Sequence, residues 1–361
     1  MTAAPTAPPL AVVGDRVLTG LRDVTDDLTA LDGTGLWAVV LPFTGPPVCA
    51  RFDRSRSARP WRGRPWVGVD PAGWRSSLDE AAFRAGVASI RSAIGRGDVY
   101  QVNLTRVLAA PLPAIADVAA LGAALAEGNP APFSAVVRLP EQGIHVASAS
   151  PERFLERDGD RIWSSPIKGT AVSSDAFLPK DRAENVMIVD LVRNDLGRVC
   201  DWGTVTVPAL CAVEEHPGLA HLVSTVSGRL RSGLGWADAI RATFPPGSVT
   251  GAPKVAALDH IAALEPVSRE IYCGAVGWVD ADRGRGALNV AIRTFWFAEE
   301  EIRFGTGGGI TWDSDPGGEW AETELKAHRL LRVAANGVLD PLDRASNPGP
   351  GGAVVGQDGW S

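Results

Sequence analysis

Lys168 stands in the run Ser164-Ser165-Pro166-Ile167-Lys168-Gly169-Thr170, whose other residues offer its amine no carboxylate partner. Flanked by Pro-Ile and Gly-Thr, it is expected where an apolar strand meets a tight turn. Partial desolvation there disfavours the ammonium form, and a neutral amine is a nucleophile. The plain alternative is a strand-end lysine that snorkels to solvent. Two acidic pairs share a second kind of chemistry. Asp181 with Glu184, and Glu319 with Glu322, are each three residues apart and so lie on one face of a helix. Two such faces suit a divalent cation: magnesium takes hard oxygen donors, commonly one or two protein carboxylates, and completes its shell with water and an anionic substrate. Solvation, or the favourable field of a helix start, explains the same pairs without a metal.

Two glycine-containing runs add exposed backbone amides, which bind carboxylates or phosphates. One is Gly305-Thr306-Gly307-Gly308-Gly309, expected as a turn after a strand; the other is the Pro-Pro-Gly-Ser-Val-Thr-Gly-Ala-Pro-Lys stretch over 245–254, which leads into a helix. Neither has the spacing of a phosphate-binding P-loop or of the dinucleotide fingerprint, and tight turns alone account for glycines.

The elements that must position these groups follow from periodicity. Apolar residues at Leu78, Ala82, Phe83, Val87, Ile90 and Ile94 recur at helical spacing, with Gly95 and Gly97 to end the helix. Further helices are expected near 116–127, 179–198, 236–244, 253–264 and 319–335. Strands are expected at 143–150, 161–167, 204–213, 222–230, 275–280, 288–297 and 302–305. Because strands come in adjacent groups rather than in strict alternation with helices, a mainly antiparallel α+β architecture fits better than a doubly wound sheet. Residues 1–77 are expected as a short strand-and-loop region of the same body, 78–337 as the catalytic domain, and the Gly/Pro/Asn-rich residues 340–361 as a disordered tail.

Composition excludes other roles. The 361 residues are 45% hydrophobic and carry 35 Lys plus Arg against 42 Asp plus Glu, a net charge of −7, which opposes binding to a phosphate backbone. The longest apolar stretches, such as 36–43, fall well short of the roughly 20 residues of a membrane span, and residues 1–10 lack the charged start of a signal peptide. A soluble cytoplasmic protein is expected. Cys49, Cys200, Cys211 and Cys273 are scattered without metal-ligand spacing, so buried thiols are expected rather than zinc or disulfides.

Taken in order, the segments resemble the chorismate-binding enzymes, the family of anthranilate, aminodeoxychorismate, isochorismate and salicylate synthases. The resemblance is carried by Asp98-Val99-Tyr100-Gln101-Val102-Asn103, Ser150-Pro151-Glu152-Arg153-Phe154, Ser165-Pro166-Ile167-Lys168-Gly169-Thr170 and Asp181-Arg182-Ala183-Glu184-Asn185. It continues through Ile188-Val189-Asp190-Leu191-Val192-Arg193-Asn194-Asp195, His221-Leu222-Val223-Ser224, the 245–254 run, Tyr272-Cys273-Gly274, Ala291-Ile292-Arg293-Thr294, Gly307-Gly308-Gly309-Ile310 and Glu319-Trp320-Ala321-Glu322 with Lys326.

The resemblance implies a two-layered antiparallel β-sandwich flanked by helices, with chorismate and Mg2+ in a cleft between the layers. Arg293 and Tyr272 match the family's carboxylate clamp, helped by amides near Gly307, Gly308 and Gly309 and by Lys326, with Thr250 also on the substrate. Glu184 and Glu322 match the magnesium ligands, with Asp181 and Glu319 as outer support. His221 matches the histidine near the departing hydroxyl, and Glu152 the general acid/base. Lysine at position 168 is similar to the aminodeoxychorismate synthase branch, where relatives using water or making anthranilate carry alanine. Gln101 stands where water-using relatives place a lysine. The implied reaction joins chorismate and ammonia, the lysine attacking ring carbon 2 while the carbon 4 hydroxyl departs.

The sequence carries no Gly-x-Cys-x-Gly nucleophile turn, so ammonia is expected from solution or from a separate glutamine amidotransferase. Poor resemblance before residue 78 gives no expectation of an amino-acid feedback pocket. Anthranilate synthase component I and a non-catalytic glutaminase-docking subunit remain as alternatives.

Overall fold

The computed structural model describes residues 7–58, 64–171, 177, 179–216 and 219–336; the tail over 340–361 lies outside them. In chain order come β1 (Leu10–Val13), β2 (Arg16–Thr25), β3 (Leu36–Leu41), β4 (Val48–Ser57), β5 (Arg75–Ser76), helix α1 (Glu80–Arg96), β6 (Gln101–Pro111) and α2 (Val118–Gly128). Then follow β7 (Phe133–Leu139), β8 (Ile144–Ser150), β9 (Arg153–Asp158), β10 (Arg161–Ser165), β11 (Ile167–Ala171), α3 (Pro179–Gly197), β12 (Thr206–His216) and β13 (Leu219–Arg229). Last are α4 (Trp236–Thr243), β14 (Gly251–Ala252), α5 (Lys254–Leu264), β15 (Ala275–Asp280), β16 (Arg285–Val290), β17 (Thr294–Ala298), β18 (Glu301–Ile310) and α6 (Pro316–Ala334).

Each of these strand pairings is antiparallel. One layer runs β1, β7, β8, β17, β18, β6, with β5 and β14 on the far edge of β6. The other runs β3, β15, β16, β9, β10, β13, β12, with β11 also on β13. β2 joins the two, pairing with β1 on one side and with β4 on the other, and β4 leads on to β3. Between the layers, Asn289 of β16 donates to the Phe133 carbonyl at 2.7 Å and to Ser148 Oγ at 3.2 Å. This is the expected two-layered α+β sandwich flanked by helices.

Apolar burial holds it together. Leu18, Val39, Phe52, Val137, Leu155 and Leu288 meet in the central core. Leu121 and Leu125 of α2 and Leu330 of α6 pack with Phe295 and Phe304, while Phe83, Val87 and Ile90 of α1 cover Leu104 of β6. Each such side chain contributes about 1.5–3 kcal/mol on burial. α1 is fixed at its ends: Asp79 accepts from the Ala82 amide at 2.8 Å, and Gly97 closes the helix in the left-handed conformation. Among the described residues no helix is long and apolar enough to cross a membrane.

Every expected helix forms. Three strand expectations need correction, and all three bear on the site. The strand expected over 161–167 breaks at Pro166, which has no amide to give a ladder. The strand expected over 288–297 splits into β16 and β17, with Arg293 in the gap at φ 51°. The strand expected to end at 305 continues as β18 to Ile310, so Gly307, Gly308 and Gly309 are ladder residues opposite Thr105, Leu104 and Asn103 rather than a turn.

Candidate active site

β18 and β6 form one wall. The β17 ladder on β18 ends at the Phe295–Phe304 pair, so beyond Phe304 the β18 edge away from β6 has no strand partner among the described residues. Glycines keep that edge open: a Cβ on Gly309 would overlap the Gln101 carboxamide nitrogen and come within 3.3 Å of Lys168 Nζ, and one on Gly305 would enter the Tyr272 ring. Gln101 is fully buried at the start of β6, and both of its side-chain polar atoms are without hydrogen-bond partners. Leaving a buried amide unpaired costs about 1–3 kcal/mol, which a polar ligand recovers. Lys326 reaches over this wall from α6, donating to the Gly307 carbonyl at 3.0 Å and pairing with Glu322 at 2.7 Å.

Lys168 comes from the facing side. Its expected position beside a turn is corrected: Gly169, at φ 76°, makes a bulge inside β11, where the register against β13 shifts between Lys168 and Thr170. A bulge re-aims the side chain beside it. Glycine also admits α3, since a Cβ there would stand 3.0 Å from the Asp181 Cβ. The half-buried Lys168 donates from Nζ to the Ser248 carbonyl at 3.2 Å. Burial holds its amine below the usual lysine range; Glu184, Glu152 and Glu322 oppose this, and Lys326 adds to it. The chain thus supplies by folding the carboxylates that the residues around Lys168 lack in sequence.

Glu152 sits in the gap between β8 and β9. Its amide donates to Ser150 Oγ at 3.2 Å, and its carbonyl accepts from the Val290 amide at 3.0 Å. The side chain is 4% exposed, and burial pushes its carboxyl up to about 7, against the lowering effect of the Ser248 hydroxyl, Lys168 and the Ile167 amide. A carboxyl that titrates near neutrality is suited to proton transfer.

The remaining expected residues surround this pair. His221 is buried in β13 opposite Thr170, one residue from Leu222, which faces Lys168. Thr250 is buried, its hydroxyl on the Pro246 carbonyl at 3.1 Å and its own carbonyl taking the Asn103 amide at 2.8 Å. Burial, then Cys273, pushes the Tyr272 hydroxyl far up, so the ring is a neutral donor packed on Gly305. Arg293 is held below the usual guanidinium range by burial and then by the Arg329 cation. A desolvated guanidinium facing another cation is a receptor for a carboxylate. Tyr272 lies against Gly305 of β18, and Arg293 directly precedes β17.

Of the four acidic residues, Glu184 and Glu322 both act on the Lys168 amine, Glu319 lies against Gly308 and accepts from Ser314 at 2.6 Å, and Asp181 lies against Gly169. Among the described residues no three Asp, Glu, His or Cys side chains stand close enough to hold a metal by themselves. The hard oxygen set on two helices fits magnesium completed by water and an anionic substrate, and does not make a closed cage.

Sequence reading missed several supports. Ser248 ties Glu152 to Lys168, but a serine in a glycine-rich run carries no signal of that. Arg269, 2% exposed, pairs with Glu265 at 2.7 Å and holds the carbonyls of Val249 and Asn103 at 2.8 and 2.7 Å. The (i, i+4) spacing from Glu265 was its only trace.

The same fold recurs in solved structures of other proteins. It superposes with a TM-score of 0.75 on the putative 2,3-dihydroxybenzoate-specific isochorismate synthase of Bacillus anthracis, at 24% identity over 92% of this chain and 97% of that one. Anthranilate synthase component I of Streptococcus pneumoniae gives 0.74, at 21% identity over 92% and 94%. The family model for chorismate binding enzymes matches residues 67–332, and the chain belongs to that family. It is 42% identical over 271 residues to aminodeoxychorismate synthase component 1 of Klebsiella aerogenes (72% of this chain, 59% of the relative). It is 40% identical over 295 residues to anthranilate synthase component 1 of Streptomyces coelicolor (77% and 57%). The chain therefore spans less than three-fifths of the length of these relatives.

Proposed function

We propose that the protein is component I of an aminodeoxychorismate synthase, converting chorismate and ammonia to 4-amino-4-deoxychorismate for p-aminobenzoate and folate or for a specialised aminophenyl product. The observation that carries this reading is the Lys168 amine, desolvated by burial, beside Gln101 and within the field of Glu152. Arg293, the Tyr272 hydroxyl and the Gly307 to Gly309 backbone bind the two carboxylates and fix the ring. Lys168 Nζ, as free amine, forms a bond to ring carbon 2; both conjugated ring double bonds shift by one position, the carbon 4 to oxygen bond breaks, and Glu152 protonates the departing hydroxyl to water. His221 polarises the same leaving group. Ammonia then bonds to carbon 4, both double bonds return to their first positions, the carbon 2 to nitrogen bond breaks, and Lys168 leaves as an amine. The Gln101 carboxamide orients the incoming ammonia.

Glu184 and Glu322 would hold magnesium, with Glu319 and Asp181 behind them. The metal supplies charge neutralisation at the ring carboxylate. Relatives named as component 1 support a separate glutamine amidotransferase as the ammonia source.

Incubation with chorismate, magnesium and ammonium, with products resolved by mass, tests the reading. Formation of 4-amino-4-deoxychorismate is expected, falling by on the order of a hundredfold or more in Lys168→Ala. An undiminished rate in that variant removes the lysine from any covalent role. The 40% identical anthranilate synthase relative favours a second reading, amination at carbon 2, and fluorescent anthranilate as the sole product would replace the first with it.

A further inference from the structure

Beside Glu152 lies a cavity of about 20 Å³ whose lining includes Glu152, Ser164, Val192, Asp195, Thr243 and Ser248. That volume holds one water, which needs roughly 10–15 Å³ and two to four polar partners. The partners are in place. Asp195 of α3 gives one oxygen to Lys254 of α5 at 2.7 Å, leaving the other, and Ser164 brings a buried hydroxyl. Lys254 is held on its other side by the Thr243 carbonyl at 2.9 Å and retains 19% side-chain exposure, whereas Asp195 keeps 9%. Both carboxylates thus line one cavity, and the second of them is paired with a partly exposed ammonium.

Resting on the proposed amination, we infer that Asp195 and Lys254 resupply the proton of Glu152 through one water held in this cavity. The balance of the reaction calls for such a supply. Ammonia reacts as NH3 and becomes an ammonium on carbon 4, so chorismate plus NH3 plus one proton gives the ammonium product plus water. Glu152 spends its proton on the departing hydroxyl while substrate covers the cleft and only 4% of the residue is exposed. In the refilling step Lys254 first passes a proton to its partner Asp195 carboxylate; the new O–H bond then breaks, its proton joins the water, and the water passes one of its own to the Glu152 carboxylate. Lys254, left neutral, takes its replacement proton from solvent, which restores the ion pair. Burial raises the Asp195 carboxyl above its ordinary range, with Lys254 acting against it, which eases the transient protonation. Asp195 and Lys254 touch no substrate in this scheme and act only through Glu152.

Asp195→Asn keeps the shape and an oxygen for Lys254 but cannot carry the proton. The expected result is a kcat lower by at least roughly tenfold, a chorismate KM within about twofold of native, and a larger solvent deuterium isotope effect on kcat. A variant that melts like the native chain and retains its kcat and isotope effect overturns the relay. Should Asp195→Asn melt early, Val192→Ile decides the matter: it fills the cavity without removing a polar group. Lower kcat with a raised isotope effect sustains the relay, and native values of both reject it. Failure of the native protein to consume chorismate at all is a separate outcome that rejects the proposed amination instead.

Discussion

Glu152→Gln should make the protein more stable and less active, by amounts that both follow from one buried carboxyl. In the fold this group titrates at about 7 against an ordinary 4.5, because burial disfavours its charge. The gap of about 2.5 units, at about 1.4 kcal/mol each, is on the order of 3 kcal/mol. The sign follows from which state holds the proton. Below pH 4.5 folded and unfolded chains are both protonated and nothing is lost. Between 4.5 and 7 the unfolded chain ionises while the fold keeps its proton, so stability drains away as pH rises, and above 7 the loss is complete. A neutral glutamine of the same shape escapes this loss. Urea unfolding at several pH values is the assay: the stability of Glu152→Gln relative to native should grow by about 3 kcal/mol from pH 4.5 to 8. Turnover at pH 7 should fall by on the order of a hundredfold or more. A stability difference that stays flat across that range would refute the claim that burial, rather than its neighbours, sets the proton affinity of Glu152.

Gly309→Ala should cost turnover because its methyl displaces Gln101 beside Lys168; the overpacking is worth about 1–3 kcal/mol, and native kcat with an unmoved Gln101 in a crystal structure would contradict it. Arg293→Lys keeps the charge but loses the planar fork, so the chorismate KM should rise by roughly tenfold or more, and a KM within twofold of native would take Arg293 off the carboxylate. Glu184→Gln and Glu322→Gln should each raise the magnesium needed for half-maximal rate by at least about tenfold; titrations that overlay the native curve in both variants would remove the metal assignment.

How much of this was legible depends on whether the cause is local. α1 was readable because its apolar stripe, acidic cap and terminal glycine all lie within about twenty residues. The glycine run was misread because glycine signals backbone freedom, and here freedom serves a strand that must carry no side chains against Gln101 and Tyr272, a reason visible only in three dimensions. The split of β16 from β17 left no mark in the sequence, since arginine does not signal the left-handed conformation that Arg293 adopts. Lys168 was recognisable as unusual, but its charged neighbours come from 16 or more residues away in sequence. The pairing of Asp195 with Lys254 spans 59 residues, and no spacing rule reaches that far.

The homologous segment begins at residue 67, yet β1 to β4 precede it and are not an appendage. β1 pairs with β7 and β3 with β15, so these four strands bridge the two layers. A chain cut to the matched residues would bare the edges of β7 and β15 at once, two apolar strands with unpaired amides and carbonyls, each a template for a foreign strand. The limits of the family match and the limits of the strand-paired unit are therefore different boundaries in this protein.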